Sequence, residues 1–165
     1  WKNDIKALLS SDISSSSASI YVTGNEDVYV AGSERLSNEI FKAVYWKNGV
    51  KKVLPQEDKE IRASSIYVNN NKVHVVGRAS ELDNSNISKA CYWEGDTKFN
   101  LSPNSLASTS QVLVVDNDVY ITGQERPAMS TPFTAVYWKN GTKTKLTDGL
   151  ASAFGNGIAI VKTSN

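Results

Sequence analysis

Cysteine, histidine and methionine each occur once, and proline four times. One Cys closes no internal disulfide and cannot build a Cys framework or a Cys-rich zinc site. One His excludes the commoner multi-histidine metal and catalytic arrangements. No apolar run is long enough to span a bilayer. Neither sign of charge dominates: 18 Lys and Arg face 17 Asp and Glu, for a net charge of +1. So balanced a chain gives no electrostatic reason to expect nucleic acid as a partner. Nor is a capped apolar stripe at helical spacing sustained anywhere. What is present, 165 residues of which 40% are hydrophobic and 21% charged, is the composition of a folded, soluble chain.

The tryptophans carry the organisation. Trp1, Trp46, Trp93 and Trp138 are separated by 45, 47 and 45 residues. The phrase Ala43-Val44-Tyr45-Trp46-Lys47-Asn48-Gly49 returns as Ala90-Cys91-Tyr92-Trp93-Glu94-Gly95-Asp96 and as Ala135-Val136-Tyr137-Trp138-Lys139-Asn140-Gly141. A second phrase keeps step, ending at Gly32, Gly77 and Gly123 after Val28-Tyr29-Val30, Val73-His74-Val75 and Val119-Tyr120-Ile121. A third begins at Ser19-Ile20, Ser65-Ile66, Gln111-Val112 and Gly157-Ile158. Three phrases at one period define a repeat protein. The repeats run near 1–45, 46–92 and 93–137, with a partial one over 138–165, all in a single domain of residues 1–165.

Each repeat reads as four short strands, here a to d, rich in Val, Ile, Tyr and Thr and bounded by Gly, Asn, Asp and Ser. In the middle repeat, a lies around Ile66-Tyr67-Val68 and b runs from Val73 to Val76. Strand c follows from Ala90 to Trp93 and d from Thr97 to Leu101. Asn48-Gly49 and Asn140-Gly141 suit type I′ turns between c and d. The b–c connections, Ser33 to Lys42, Arg78 to Lys89 and Gln124 to Thr134, vary most, and the d–a connections are Ser-rich, as at Ser14 to Ser17. Alternation along strand c puts Val44 and Trp46 on one face and Ala43 and Tyr45 on the other. Both faces are apolar, so each sheet needs a neighbour on either side. Four-stranded units at this period predict an all-β fold, a β-propeller of four-stranded antiparallel blades with three complete repeats and partial terminal strands. A linear stack of sheets is the alternative.

The succession Trp-x-Asn-Gly, an apolar strand ending in Leu, Ile-x-Val, an Asn/Asp turn and Val-x-Val-x-Gly resembles HAF-type β-propeller repeats of bacterial extracellular proteins. The resemblance covers nearly the whole chain and departs from the HAF pattern in carrying Tyr before Trp. It implies a bacterial propeller that is secreted, on the cell surface or periplasmic, and it supplies no catalytic residue. Kelch repeats share the general grammar but carry paired glycines and a wider Tyr-to-Trp spacing.

The repeats leave ends over: a d strand at Ile5 to Leu9 and a last a strand at Gly157 to Val161. Three accounts stay open: the chain is a fragment of a longer propeller, it self-associates or takes a companion chain that completes the ring, or the two odd strands pair directly. A fragment is the simplest.

Candidate chemistry is sparse. His74 fills the slot of Tyr29 and Tyr120, and Cys91 that of Val44 and Val136, so both read as packing residues and no catalytic pair is assigned. Asp116-Asn117-Asp118 is the densest oxygen cluster, but it lies where a hairpin already calls for Asn and Asp. No metal or cofactor is expected. Variable loops on a rigid scaffold carry specificity, which directs attention to the b–c rim. Glu34-Arg35 and Glu125-Arg126 open two of these loops alike, either positioning a polar ligand or forming an exposed ion pair; the ion pair is the plainer reading. Met129 and Phe133, with Pro127 and Pro132, give the third loop an apolar character the others lack.

These residues predict a non-catalytic extracellular or periplasmic scaffold that recognises protein or glycan through its rim loops. A glycan-active enzyme of the propeller class is the alternative, but it needs acids converging at one place, and Glu34 and Glu125 are matched only by an offset Glu81. A structural or assembly module completed by another chain is the third reading.

Overall fold

The structure, a computed structural model, describes residues 8–9, 14–35, 40–55, 60–80 and 87–161. Trp1, most of the expected strand at Ile5 to Leu9, Glu81 and the middle of the first two b–c loops lie outside them. Twelve strands form three four-stranded antiparallel sheets, and no helix occurs among the described residues. The first sheet is β1 (Ser14–Val22), β2 (Val28–Arg35), β3 (Lys42–Lys47) and β4 (Val50–Val53). The second is β5 (Glu60–Asn69), β6 (Lys72–Ser80), β7 (Ser88–Glu94) and β8 (Thr97–Asn100). The third is β9 (Leu106–Val115), β10 (Asp118–Arg126), β11 (Thr134–Lys139) and β12 (Thr142–Lys145). Every sheet is a meander in the order a–b–c–d.

The turns follow the side chains. Asn48 and Gly49, Asn70 and Asn71, Asp116 and Asn117, and Asn140 and Gly141 all have positive φ, as type I′ hairpins require. Strands a and b run further than their apolar phrases. The Ser-rich stretch Ser14 to Ser17 lies in β1, while β2, β6 and β10 continue through Ser33–Arg35, Arg78–Ser80 and Gln124–Arg126. Hydrogen-bonded pairing with a long neighbour, not hydrophobicity, extends them.

The sheets pack face to face in an open row, with the second standing between the first and third, and they do not close into a ring. Trp93 and Cys91 face the first sheet in a cluster with Ala43, Leu54 and Ile61, while Ala90 and Tyr92 face the third with Val112, Ile121 and Trp138. This is the two-faced alternation expected of strand c. Trp46, Trp93 and Trp138 are fully buried, and truncating such a side chain to Ala costs about 3–5 kcal/mol.

Strand a is an edge strand, yet the preceding sheet covers it in the second and third sheets, so its outward N–H groups need acceptors there. The repeat provides them. Ile66 N–H donates to Ser19 Oγ at 3.4 Å, Val112 N–H to Ser65 Oγ at 3.3 Å and Ile158 N–H to Gln111 Oε1 at 2.9 Å, each pair 47 residues apart. A β-bulge at Ala18, Ser64 and Ser110 immediately precedes each acceptor. Opposite each bulge lies Gly32, Gly77 or Gly123, where an added Cβ would sit 2.0, 2.2 or 2.1 Å from a backbone carbonyl oxygen of strand a. Only glycine fits, which explains why the second phrase ends on it.

The expected last strand, Gly157 to Val161, is corrected: it forms no ladder, because no b strand among the described residues is there to pair with it. It nonetheless occupies the a position, held by Gln111 and by Gly155 N–H donating to Gly123 O at 3.2 Å. At the other end no described sheet covers the outer side of β1. Ile20 and Val22 are 62% and 53% exposed, against 3% and 6% for their equivalents Ile66 and Val68. Among the described residues no helix is long and apolar enough to cross a membrane.

Gly77→Ala is expected to lower unfolding free energy by roughly 1–3 kcal/mol through overpacking. Gly24→Ala, which enters open space, should change it by no more than about 0.5 kcal/mol. Urea denaturation of the two variants checks this, and equal stabilities would contradict the close approach.

Candidate functional site

The b–c rim does not present its charged residues as expected. Strand alternation turns Glu34 and Glu125 inward, because β2 and β10 continue through the Glu-Arg dipeptides. Both carboxylates are buried, at 5% and 4% exposure. Glu34 pairs with Lys51 on β4, and Glu125 with Lys143 on β12 at 2.6 and 2.8 Å, with Ser102 Oγ at 3.5 Å. The exposed Glu–Arg ion pair is thereby corrected: each Glu ties strand b to the lysine of strand d. The two acids also lie on sheets separated by a third, so they do not converge.

The arginines remain near the rim. Arg35 lies 5.0 Å from the Phe41 ring centre, with Arg62 of the next sheet 3.6 Å from the same ring. Arg126 stacks over Phe133 at 4.5 Å and donates to the Met129 carbonyl at 2.8 Å. Arg126, Met129 and Phe133 thus lie together, with the guanidinium engaging both of the others. A cleft of about 440 Å³ beside this loop is lined by Ile87, Pro103, Leu106 and Pro127.

A second cleft opens at the other end of the sheets, where the hairpin turns lie. It holds about 410 Å³ between the second and third sheets, within the roughly 300–1,000 Å³ of small-molecule sites. Phe99 on β8 forms one wall, 43% exposed and stacked on Tyr92 at 5.6 Å between ring centres. Leu101, Val119 and Ile121 supply its other apolar surfaces, and Asn117 and Glu94 supply polar groups; Asn100 borders it with its side-chain oxygen 3.9 Å from the Cys91 thiol on the opposite face. A neighbouring recess of about 280 Å³ shares Glu94, Asn117 and Val119 and reaches His74.

Tyr92 and His74 link the two spaces, with the phenol oxygen 2.7 Å from His74 Nδ1. Burial, aided by Glu94, pushes the Tyr92 phenol far above its usual range. The phenol therefore stays protonated, and it shares one hydrogen bond with Nδ1 whose donor is set by the imidazole tautomer. Burial also holds His74 below its usual range, with Glu94 opposing and Lys72 adding to the effect. His74 and Cys91 do not face each other: Gly77 lies opposite Cys91, whose thiol turns to the Lys89 carbonyl at 3.6 Å.

The hairpin rim is braced by charge. Asp118 accepts from Asn140 at 2.7 Å and pairs with Lys139 at 2.7 Å, and Asp27 does the same with Asn48 and Lys47 at 2.7 and 3.0 Å. The side-chain bond to Asn48 is the largest influence holding Asp27 below the usual carboxylate range, and the bond to Lys139 does so for Asp118. In the middle repeat the polarity is reversed, Lys72 meeting Glu94 at 2.6 Å. No cluster of three or more His, Cys, Asp or Glu able to hold a metal occurs among the described residues.

Sequence reasoning looked for function in the loops and passed over the hairpin-end cleft. The signal was present in the strands: His74, Glu94 and Phe99 stand where the other repeats carry Tyr, Lys, and Lys or Thr.

No family model and no curated protein matches this chain. Among solved structures it is similar to a fucose lectin from Kordia zhangzhouensis, determined in complex with methyl-fucoside, at 11% identity and a TM-score of 0.53. The match covers 77% of this chain and 95% of that one. At such an identity the likeness is one of fold.

A buried neutral imidazole loses stability in acid. Above the unfolded-chain pKa of about 6.5 both states are neutral. Below it the unfolded chain takes up the proton first, so stability falls until the lower folded-state pKa is passed. The melting temperature should therefore drop from pH 7 to pH 5, and His74→Tyr should fold and flatten that slope. An unchanged slope in the variant would contradict it.

Proposed function

We propose that this chain is a non-catalytic glycan-binding protein whose sheets are blades of a β-propeller-type array and whose sugar seat is the cleft at Phe99. The observation that carries the reading is an exposed aromatic ring beside amide and carboxylate groups in an open inter-sheet cleft. Sugars offer an apolar C–H face for such a ring and hydroxyls for such groups. Asn117 suits that polar role, since the Asn140 amide is already committed to Val119 N–H and Asp118, and the Asn100 side chain turns to Cys91 on the opposite face of the sheet. Similarity in fold to a fucose lectin supports the class of ligand, with a 6-deoxyhexose the first sugar to test. The propeller reading draws support from three four-stranded antiparallel meanders stacked face to face at one repeat period. The resemblance to HAF-type repeats supports a bacterial, secreted, cell-surface or periplasmic setting.

A second surface has its own observation. Met129 is 49% exposed on the third b–c loop, beside the cleft at Pro127, which suits a protein ligand.

Glycan-array screening followed by titration separates the two. Phe99→Ala should weaken sugar binding about tenfold, the loss of one stacking contact, with an unchanged melting temperature. Replacing residues 126–133 should leave sugar binding intact. Undiminished binding by Phe99→Ala would overturn the proposed seat, and loss on loop replacement would move it to the opposite rim.

A further inference from the structure

The junction between the first and second sheets is built from the same strands as the junction that holds the cleft, and residue-by-residue equivalence shows what differs. Tyr45 stands for Tyr92, each opposite the second residue of a d-strand pair: Lys52 in the first sheet, Phe99 in the second. Val73 and Val75 stand for Val119 and Ile121. The turn residue three after the Trp is Asp96 in the second sheet and Gly141 in the third. Where the open junction has Phe99 facing Gly141 across the cleft, the other has Lys52 Nζ bound to Asp96 Oδ1 at 2.7 Å. The neighbouring leucine records the consequence: Leu54 is 1% exposed at the closed junction, and its equivalent Leu101 is half-buried and lines the open one.

Resting on the glycan reading above, we infer that the first junction is a second copy of the sugar seat held shut by Lys52 and Asp96, so that these three sheets offer one such seat rather than two. The ion pair replaces the stacking ring with an ammonium and spans the space a sugar would fill. Its exposed ends, 44% and 67%, mean that it contributes little to stability, so its role is to exclude a ligand rather than to hold the sheets together.

The test is a two-dimensional NMR titration with methyl-fucoside and a panel of other methyl glycosides. In the unmodified chain the bound sugar should shift resonances of Tyr92, Phe99 and Val119 and leave Tyr45 and Val73 in place. The double variant Lys52→Phe, Asp96→Gly should show shifts at both junctions and bind two sugars per chain. Equal shifts at both junctions of the unmodified chain would overturn the inference, as would a folded double variant that responds only at Phe99. The unmodified-chain experiment stands even where the variant fails to fold. Failure of every glycoside to bind, or binding that never touches Phe99, would remove the seat itself and this inference with it.

Discussion

A side-chain oxygen on the first strand of each sheet accepts the backbone N–H of the first strand of the next, and the rest of the molecule depends on that reach. Strand a has a free edge that would meet water in an isolated sheet. Stacking buries it, and a buried N–H without an acceptor costs about 1–3 kcal/mol. Ser19, Ser65 and Gln111 remove that cost at the same point in three successive repeats. The bulge sets the acceptor, and the opposing glycine allows the strands to approach closely enough. Apolar packing of Trp93 and Trp138 then fills the space the contact defines.

Repetition so strict makes departures informative. The middle repeat exchanges Asp and Lys for Lys and Glu at the turn, Tyr for His on strand b, and Lys for Phe on strand d. The reversed charges still pair, so the brace survives. The ring on strand d has no partner of opposite charge, and a cleft opens beside it. A repeat protein can in this way hold one junction shut and another open without altering its backbone.

Much of the fold was legible from residues alone. The glycine that ends Val-x-Val-x-Gly, the positive-φ pairs at Asn48-Gly49 and Asn140-Gly141 and the alternation of Tyr45 with Trp46 each have a local cause that a sequence displays. Four features were not legible. The extension of β2, β6 and β10 into their loops comes from pairing, which depends on a distant strand. The last segment looks like a strand because it carries the pattern, yet a strand needs a partner to form a ladder. The site was missed for a related reason: Phe99 is one apolar residue on a polar strand, and its importance rests on Gly141, 42 positions away, not filling the space in front of it. The rim dipeptides misled because Glu34 and Glu125 look exposed until strand alternation turns them towards Lys51 and Lys143.

Amide hydrogen exchange at Ile158 tests the central contact most directly. This residue lies outside every ladder, and among the described residues the reach of Gln111 gives its N–H a partner. The account predicts slow exchange at Ile158 alongside Ile66 and Val112, and fast exchange at Ile158 alone in Gln111→Ala. Exchange of Ile158 at the rate of an unstructured peptide in the unmodified chain would contradict it.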